Sequence, residues 1–154
     1  MTAKPTASAQ IEVNASPDQV YELVSDPGKL AEFAEEYSGH SWLGGANGAK
    51  VGARFRGNNR KGIARWSTTA TVTDAVPGRR FAFDVTAFGF PVSRWQYEIE
   101  PTGDGCCVTE STWERRGPAL KVVGAFLSGV KDRAEYNRRN IEATLRRLKA
   151  HAES

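Results

Sequence analysis

The pattern of apolar and polar positions divides the chain into three stretches. Gln10-Ile11-Glu12-Val13-Asn14 alternates, which predicts a half-buried strand. Ser16-Pro17-Asp18-Gln19 follows. Ser is a good helix cap, Pro suits the first helical position, and Gln three residues on closes a capping box. Val20, Leu23 and Val24 then recur at helical spacing until Asp26-Pro27-Gly28 breaks the run. Leu30 and Phe33 mark a second short helix.

From His40 to Arg116 the period changes to that of strands and turns. Trp42-Leu43 opens a strand, Gly44 to Lys50 is a glycine-rich turn, and Val51 to Arg56 alternates. Gly57 to Gly62 predicts a hairpin loop. Ile63 to Val76 is a long β stretch ending at the Pro77-Gly78 turn. Arg80 to Ala87 puts Phe81, Phe83 and Val85 on one face, and Phe88-Gly89-Phe90-Pro91 is an apolar loop. Val92 to Glu100 alternates most clearly, with Trp95, Tyr97 and Ile99 against Arg94, Gln96, Glu98 and Glu100. After Thr102-Gly103-Asp104-Gly105, Cys106 to Arg115 is the last strand.

Gly117-Pro118 then opens a long helix, with Leu120, Val123, Leu127, Val130, Ala134, Ile141, Leu145 and Leu148 in steps of three and four. About 30 helical residues span roughly 45 Å. Gly124 and Gly129 interrupt it, at about 1 kcal/mol each relative to Ala. Packing close to a sheet is the plainer reading of both. The predicted fold class is therefore α+β. A curved antiparallel sheet of about seven strands wraps around the long C-terminal helix, with two short helices after strand 1. Successive hairpins make the sheet antiparallel, and its apolar face must be covered. Only the last helix is long enough to do so.

Composition narrows the class. The chain has 154 residues, 40% hydrophobic and 25% charged, the profile of one globular domain. Residues 1–8 read as a frayed tail, 9–150 as the domain and 151–154 as a C-terminal tail. No segment approaches the 18 apolar residues of a membrane span, and Met1 to Ala9 lacks an apolar signal core. The expected location is cytoplasmic. The net charge is +3, with basic residues concentrated at 54–61 and 133–149. These read first as solvated hairpin and helix surfaces, and second as a patch for an anionic partner. Because acidic residues nearly balance the basic ones, no nucleic-acid partner is expected. Cys106 and Cys107 are adjacent. In a strand they point to opposite faces, so two free thiols are expected rather than a disulfide. With two histidines, His40 and His151, no metal-ligand spacing exists, and neither a metal nor a cofactor is expected. Gly44-Gly45-Ala46-Asn47-Gly48 lacks the Lys-Ser/Thr ending of a phosphate loop.

Several motifs carry a family resemblance when taken in this order. They are Ala15-Ser16-Pro17-Asp18-Gln19-Val20-Tyr21, Val24-Ser25-Asp26-Pro27, Trp95-Gln96-Tyr97-Glu98-Ile99-Glu100-Pro101, Cys107-Val108-Thr109-Glu110 and the helix end Asn140 to Lys149. Over roughly residues 8–150 the chain resembles the START-like, or SRPBCC, superfamily with its helix-grip fold. Bacterial members of that superfamily are often described as polyketide cyclase/dehydrase-like. The resemblance implies a cavity between sheet and helix. It does not imply one activity, since the superfamily includes lipid carriers, hormone receptors and aromatase/cyclases.

Strand parity gives the candidate lining. Phe55, Trp66, Thr68, Phe81, Phe83, Trp95 and Tyr97 share the inner face, and Leu127, Val130 and Asn137 face it from the helix. Plain core packing is the competing reading for the aromatic residues. Register with Val108 turns Glu110 and Thr112 inward, whereas the opposite register buries Trp113. An inward Glu110 requires a partner, and its pKa rises with burial. With Tyr97 it forms the candidate catalytic pair. His40 near a strand start reads as a surface or capping residue. The leading functional expectation is binding of a hydrophobic small molecule such as a lipid or polyketide, by a monomer or homodimer. A polyketide aromatase/cyclase or dehydratase using a cavity acid/base is the alternative, and an interaction protein using the basic helix comes third.

Overall fold

The structure, a computed structural model, describes residues 4–33, 37–45, 48–61, 63–117 and 133–154. Strand β1 (Ala7–Val13) leads into helices α1 (Pro17–Val24) and α2 (Pro27–Phe33). Six strands follow: β2 (Tyr37–Trp42), β3 (Arg54–Lys61), β4 (Ala64–Val76), β5 (Arg80–Ala87), β6 (Phe90–Pro101) and β7 (Cys106–Glu114). Helix α3 spans Arg133–Ala152. The strands form one antiparallel sheet in the order β1-β7-β6-β5-β4-β3-β2. The first and last strands are neighbours, and α3 packs on both of them and on the two short helices. This is the helix-grip α+β architecture.

The capping box forms as the residues dictate. Gln19 N–H donates to Ser16 Oγ at 3.1 Å, and Ser16 N–H donates back to Gln19 Oε1 at 3.0 Å. Helix α1 buries Val20, Tyr21 and Val24. The Tyr21 ring meets Phe81 edge-on, 6.5 Å between centroids. Around that contact lies a dry core of Phe81, Ile99, Val108, Leu145 and Leu148, each 1% exposed or less.

Bulges in β4 and β6 curve the sheet, and the β2–β3 register shifts too between Tyr37 and Gly39. Thr73 is extra on β4 where the register passes from Val72↔Phe83 to Asp74↔Ala82. Val92 is extra on β6 between Val85↔Ser93 and Thr86↔Pro91. On the outer face, Arg94 donates to Thr73 Oγ1 (2.7 Å) and Asp74 Oδ1 (3.2 Å), and its guanidinium lies 6.0 Å from the Trp113 ring centre.

Several boundaries differ from the sequence reading. Of the loop expected at 57–62, residues 57–61 are strand instead, because β3 and β4 pair as far as Lys61↔Ala64, and Gly62 lies outside the described residues. Gly57, Asn58 and Asn59 are poor strand formers, but their ladder with Thr68, Ser67 and Trp66 overrides propensity. The apolar loop at 88–91 shrinks to a two-residue turn, Phe88-Gly89, with φ of 54° and 80°. The tail expected over 1–8 is shorter: Ala7 is buried and pairs with Thr112, and Thr6 N–H donates to Thr112 O at 2.8 Å. The C-terminal tail is tied down too. Glu153 Oε2 accepts from Asn14 N–H at 2.8 Å and from Lys149 Nζ at 2.6 Å. Gly117 is exposed and not helical, and the helix expected from Pro118 on, with Gly124 and Gly129, lies outside the described residues until Arg133. Cys106 is buried, Cys107 half-buried, and both are free thiols.

Candidate functional site

The inner faces of β3 to β7 and one side of α3 enclose a cavity of about 180 Å³. A cavity of roughly 150 Å³ holds a benzene ring, so this one takes a ring system or a short chain. Phe55, Trp66, Ala70, Phe83, Val85, Val92 and Trp95 supply apolar wall. Phe55 and Phe83 sit edge to face at 5.7 Å, which fixes both rings. Gly57 leaves room where a side chain would fill the space. The bulge at Val92 turns both Val92 and Ser93 onto the cavity, and Ser93 Oγ accepts from Trp95 Nε1 at 3.0 Å. That bond orients the indole.

Polar groups enter at two depths. Deep in the wall, Tyr97 lies directly opposite Glu110 in the β6–β7 ladder. Its hydroxyl donates to Glu110 Oε2 at 2.8 Å. Tyr97 is 2% exposed and Glu110 3%. Glu110 Oε1 is buried and has no hydrogen-bond partner among the described residues. Burial pushes the Glu110 carboxyl up to about 8, and the Tyr97 hydrogen bond offsets only part of that. Burial, then the neighbouring carboxyl, holds the Tyr97 phenol well above its ordinary value. Toward the hairpin end the lining is half-exposed: Asn59 Nδ2 donates to Thr68 Oγ1 at 3.3 Å, and Arg116 forks onto Glu114 at 2.7 and 3.0 Å. Asn137, Asn140 and Thr144 line the helix side.

The register question is settled in favour of Glu110 inward and Trp113 outward. Of the candidate lining, the structure brings together Phe55, Trp66, Thr68, Phe83, Trp95, Tyr97, Glu110 and Asn137. Two others belong elsewhere. Phe81 is in the dry core under Tyr21. Thr112 is buried but spends its hydroxyl on Arg94 O at 2.9 Å, away from the cavity wall. Leu127 and Val130 lie outside the described residues. His40 stands in β2 opposite Gly57. Sequence reasoning missed Glu114 and Arg116, whose signal was the continuing parity of Glu110 and Thr112. It also missed Asn140 and Thr144, at helical spacing from Asn137. Ser93 and Val92 carried no signal, since only the bulge places both on one face.

The model of the family described as polyketide cyclase/dehydrase and lipid transport matches residues 4–153. The chain belongs to this family. No curated protein matches. Among solved structures, a polyketide-cyclase-like protein, Cgl2372 from Corynebacterium glutamicum, is 28% identical, with a TM-score of 0.57 over 96% of this chain and 91% of that one. Protein CV1439 from Chromobacterium violaceum has a TM-score of 0.70 at 17% identity, over 96% of both chains. The di-domain aromatase/cyclase StfQ of the steffimycin biosynthetic pathway reaches 0.69 at 17% identity, over 95% of this chain and 49% of that one. The last two share the fold. Among the described residues, the site is a largely apolar wall with the buried Glu110 carboxyl set into it. Among the described residues no helix is long and apolar enough to cross a membrane, and no group of three acidic, histidine or cysteine side chains has metal-site geometry.

Proposed function

We propose that this protein binds a compact, largely apolar small molecule in the sheet–helix cavity, carrying, sequestering or sensing it. One observation carries the reading: a largely apolar cavity of about 180 Å³ whose wall holds a carboxyl with one oxygen unpartnered among the described residues. A ring of about 150 Å² gains roughly 4 kcal/mol on burial, which by itself is millimolar binding. Tighter binding therefore uses a polar anchor, and Glu110 is the deepest one present. Native mass spectrometry of protein purified from its own host tests this, paired with an Ala70→Leu variant that fills the cavity. A co-purifying apolar compound that Ala70→Leu excludes supports the reading. A ligand-free protein in which Ala70→Leu is neutral for every small aromatic compound tried removes it.

The Glu110–Tyr97 contact favours a second reading, an aromatase/cyclase or dehydratase in which Glu110 exchanges a proton with the bound molecule. A carboxyl with a pKa near neutrality is suited to that work. Unchanged turnover of an identified substrate by Glu110→Gln would sink it.

A further inference from the structure

We propose that Glu110 meets the ligand as a neutral acid whose Oε1 presents a proton, so that the molecule bound there carries a hydrogen-bond acceptor, such as a ketone or ester carbonyl, rather than a donor or a cation. This rests on the cavity-binding reading and adds the polarity of the ligand to it. The argument is one of proton placement. Tyr97 is buried, and its hydroxyl proton goes to Glu110 Oε2. A phenol has one proton to give, so Oε2 is the accepting oxygen, and Oε1 is left buried and without a partner among the described residues, on a side chain that lines the cavity.

The surroundings decide the charge. Opposite Glu110 on β1 stands Ala9. From β6 comes Tyr97, itself held neutral by burial. The cavity-facing residues of α3 are uncharged, Asn137 and Thr144 among them. Arg116 is the cation in the described wall, and both oxygens of Glu114 already hold it. A carboxylate supported by one hydrogen bond and no cation is costly at this depth. The proton therefore stays, and with Oε2 occupied as an acceptor it sits on Oε1. The upward shift of Glu110 to about 8 agrees.

Three bicyclic probes of matched size test the inference by calorimetry: indane, with no polar group; 1-indanone, with an acceptor; and indole, with a donor. At pH 6, 1-indanone is expected to bind at least tenfold more tightly than indane or indole. That preference is expected to fall away between pH 7 and 9 as Glu110 ionises. In Glu110→Gln the amide NH2 takes the place of the acid proton, so the ketone preference persists at pH 9. If indane binds and 1-indanone gains nothing over it, or if indole binds best, the inference fails while the cavity reading stands. If none of the three binds, both fail. Carbon-13 NMR of the Glu110 carboxyl supplies a readout independent of the variant's folding. A titration midpoint above 7 supports the inference, and one below 6 overturns it.

Discussion

The hydroxyl of Tyr97 donates to Oε2 of Glu110 at 2.8 Å across the β6–β7 ladder, and both side chains are sealed from solvent. The pair is buried, polar and only partly satisfied, since Glu110 Oε1 has no partner among the described residues. Partly satisfied polar groups in a core cost stability.

Stability should fall as pH rises from about 4.5 to about 8. The folded pKa of Glu110 lies above its ordinary value of 4.5, so in that window the folded state binds the proton more tightly than the unfolded chain does. The contribution is fully present below 4.5 and lost by the time pH passes 8. Its size is on the order of a few kcal/mol. Urea denaturation of wild type and Glu110→Gln across pH 4 to 9 reads it as a difference in slope. Parallel curves for the two proteins would mean that Glu110 is ionised in the fold.

Replacing Tyr97 by Phe removes the one donor to the Glu110 side chain among the described residues. At pH 9 the carboxylate then stands without a hydrogen bond, and the loss should be about 1–3 kcal/mol. At pH 5 the acid is neutral, so the loss should be smaller. Thermal melts at the two pH values separate these cases, and an equal loss at both would point to packing rather than to the hydrogen bond.

Gly105 should not tolerate alanine. A Cβ there would stand 2.1 Å from Val13 O and 3.0 Å from Asn14 Cα, both backbone atoms with little room to move. The β6–β7 turn closes directly on the end of β1, so Gly105→Ala pushes the first strand off the sheet. Overpacking of this kind costs about 1–3 kcal/mol. Gly103→Ala, in the same turn with open space around it, is the control and should be near neutral in a chemical melt.

Phe88 is held at φ 54° while 94% exposed. A left-handed conformation costs a non-glycine residue about 1–2 kcal/mol, and this side chain recovers almost nothing by burial. Phe88→Asn fits the turn better, since such turns prefer Asn before Gly. It should stabilise the protein by about 1 kcal/mol, or ~3 °C in Tm at this chain length. A drop in Tm would show that Phe88 packs on something in solution.

The boundaries of α1 were legible because they rest on local chemistry. Ser16, Pro17 and Gln19 form a capping box wherever the chain places them. Strand parity likewise ran true where the ladder is regular, which is why Trp95 and Tyr97 were assigned to the inner face. It failed at Val92, where one inserted residue turns two neighbours to the same side. It also failed at Gly57 to Asn59, where pairing partners outweighed turn propensity. Phe81 shares its face with Phe83 by alternation, yet one is core and the other cavity wall. The difference is the Tyr21 ring of α1, which covers Phe81.

The sequence by itself determined the order of elements, the antiparallel sheet, its apolar face and the family, because short-range periodicity and capping encode these. Tertiary structure decided which way β7 faces. Both Glu110 and Trp113 were plausible inward residues, and the strand's own alternation favoured neither. Pairing with Tyr97 on one side and Ala9 on the other fixed the register. A one-residue slip would have reversed every side chain of the strand. That choice sets a carboxyl into the wall of an apolar cavity, with one of its oxygens unpartnered among the described residues.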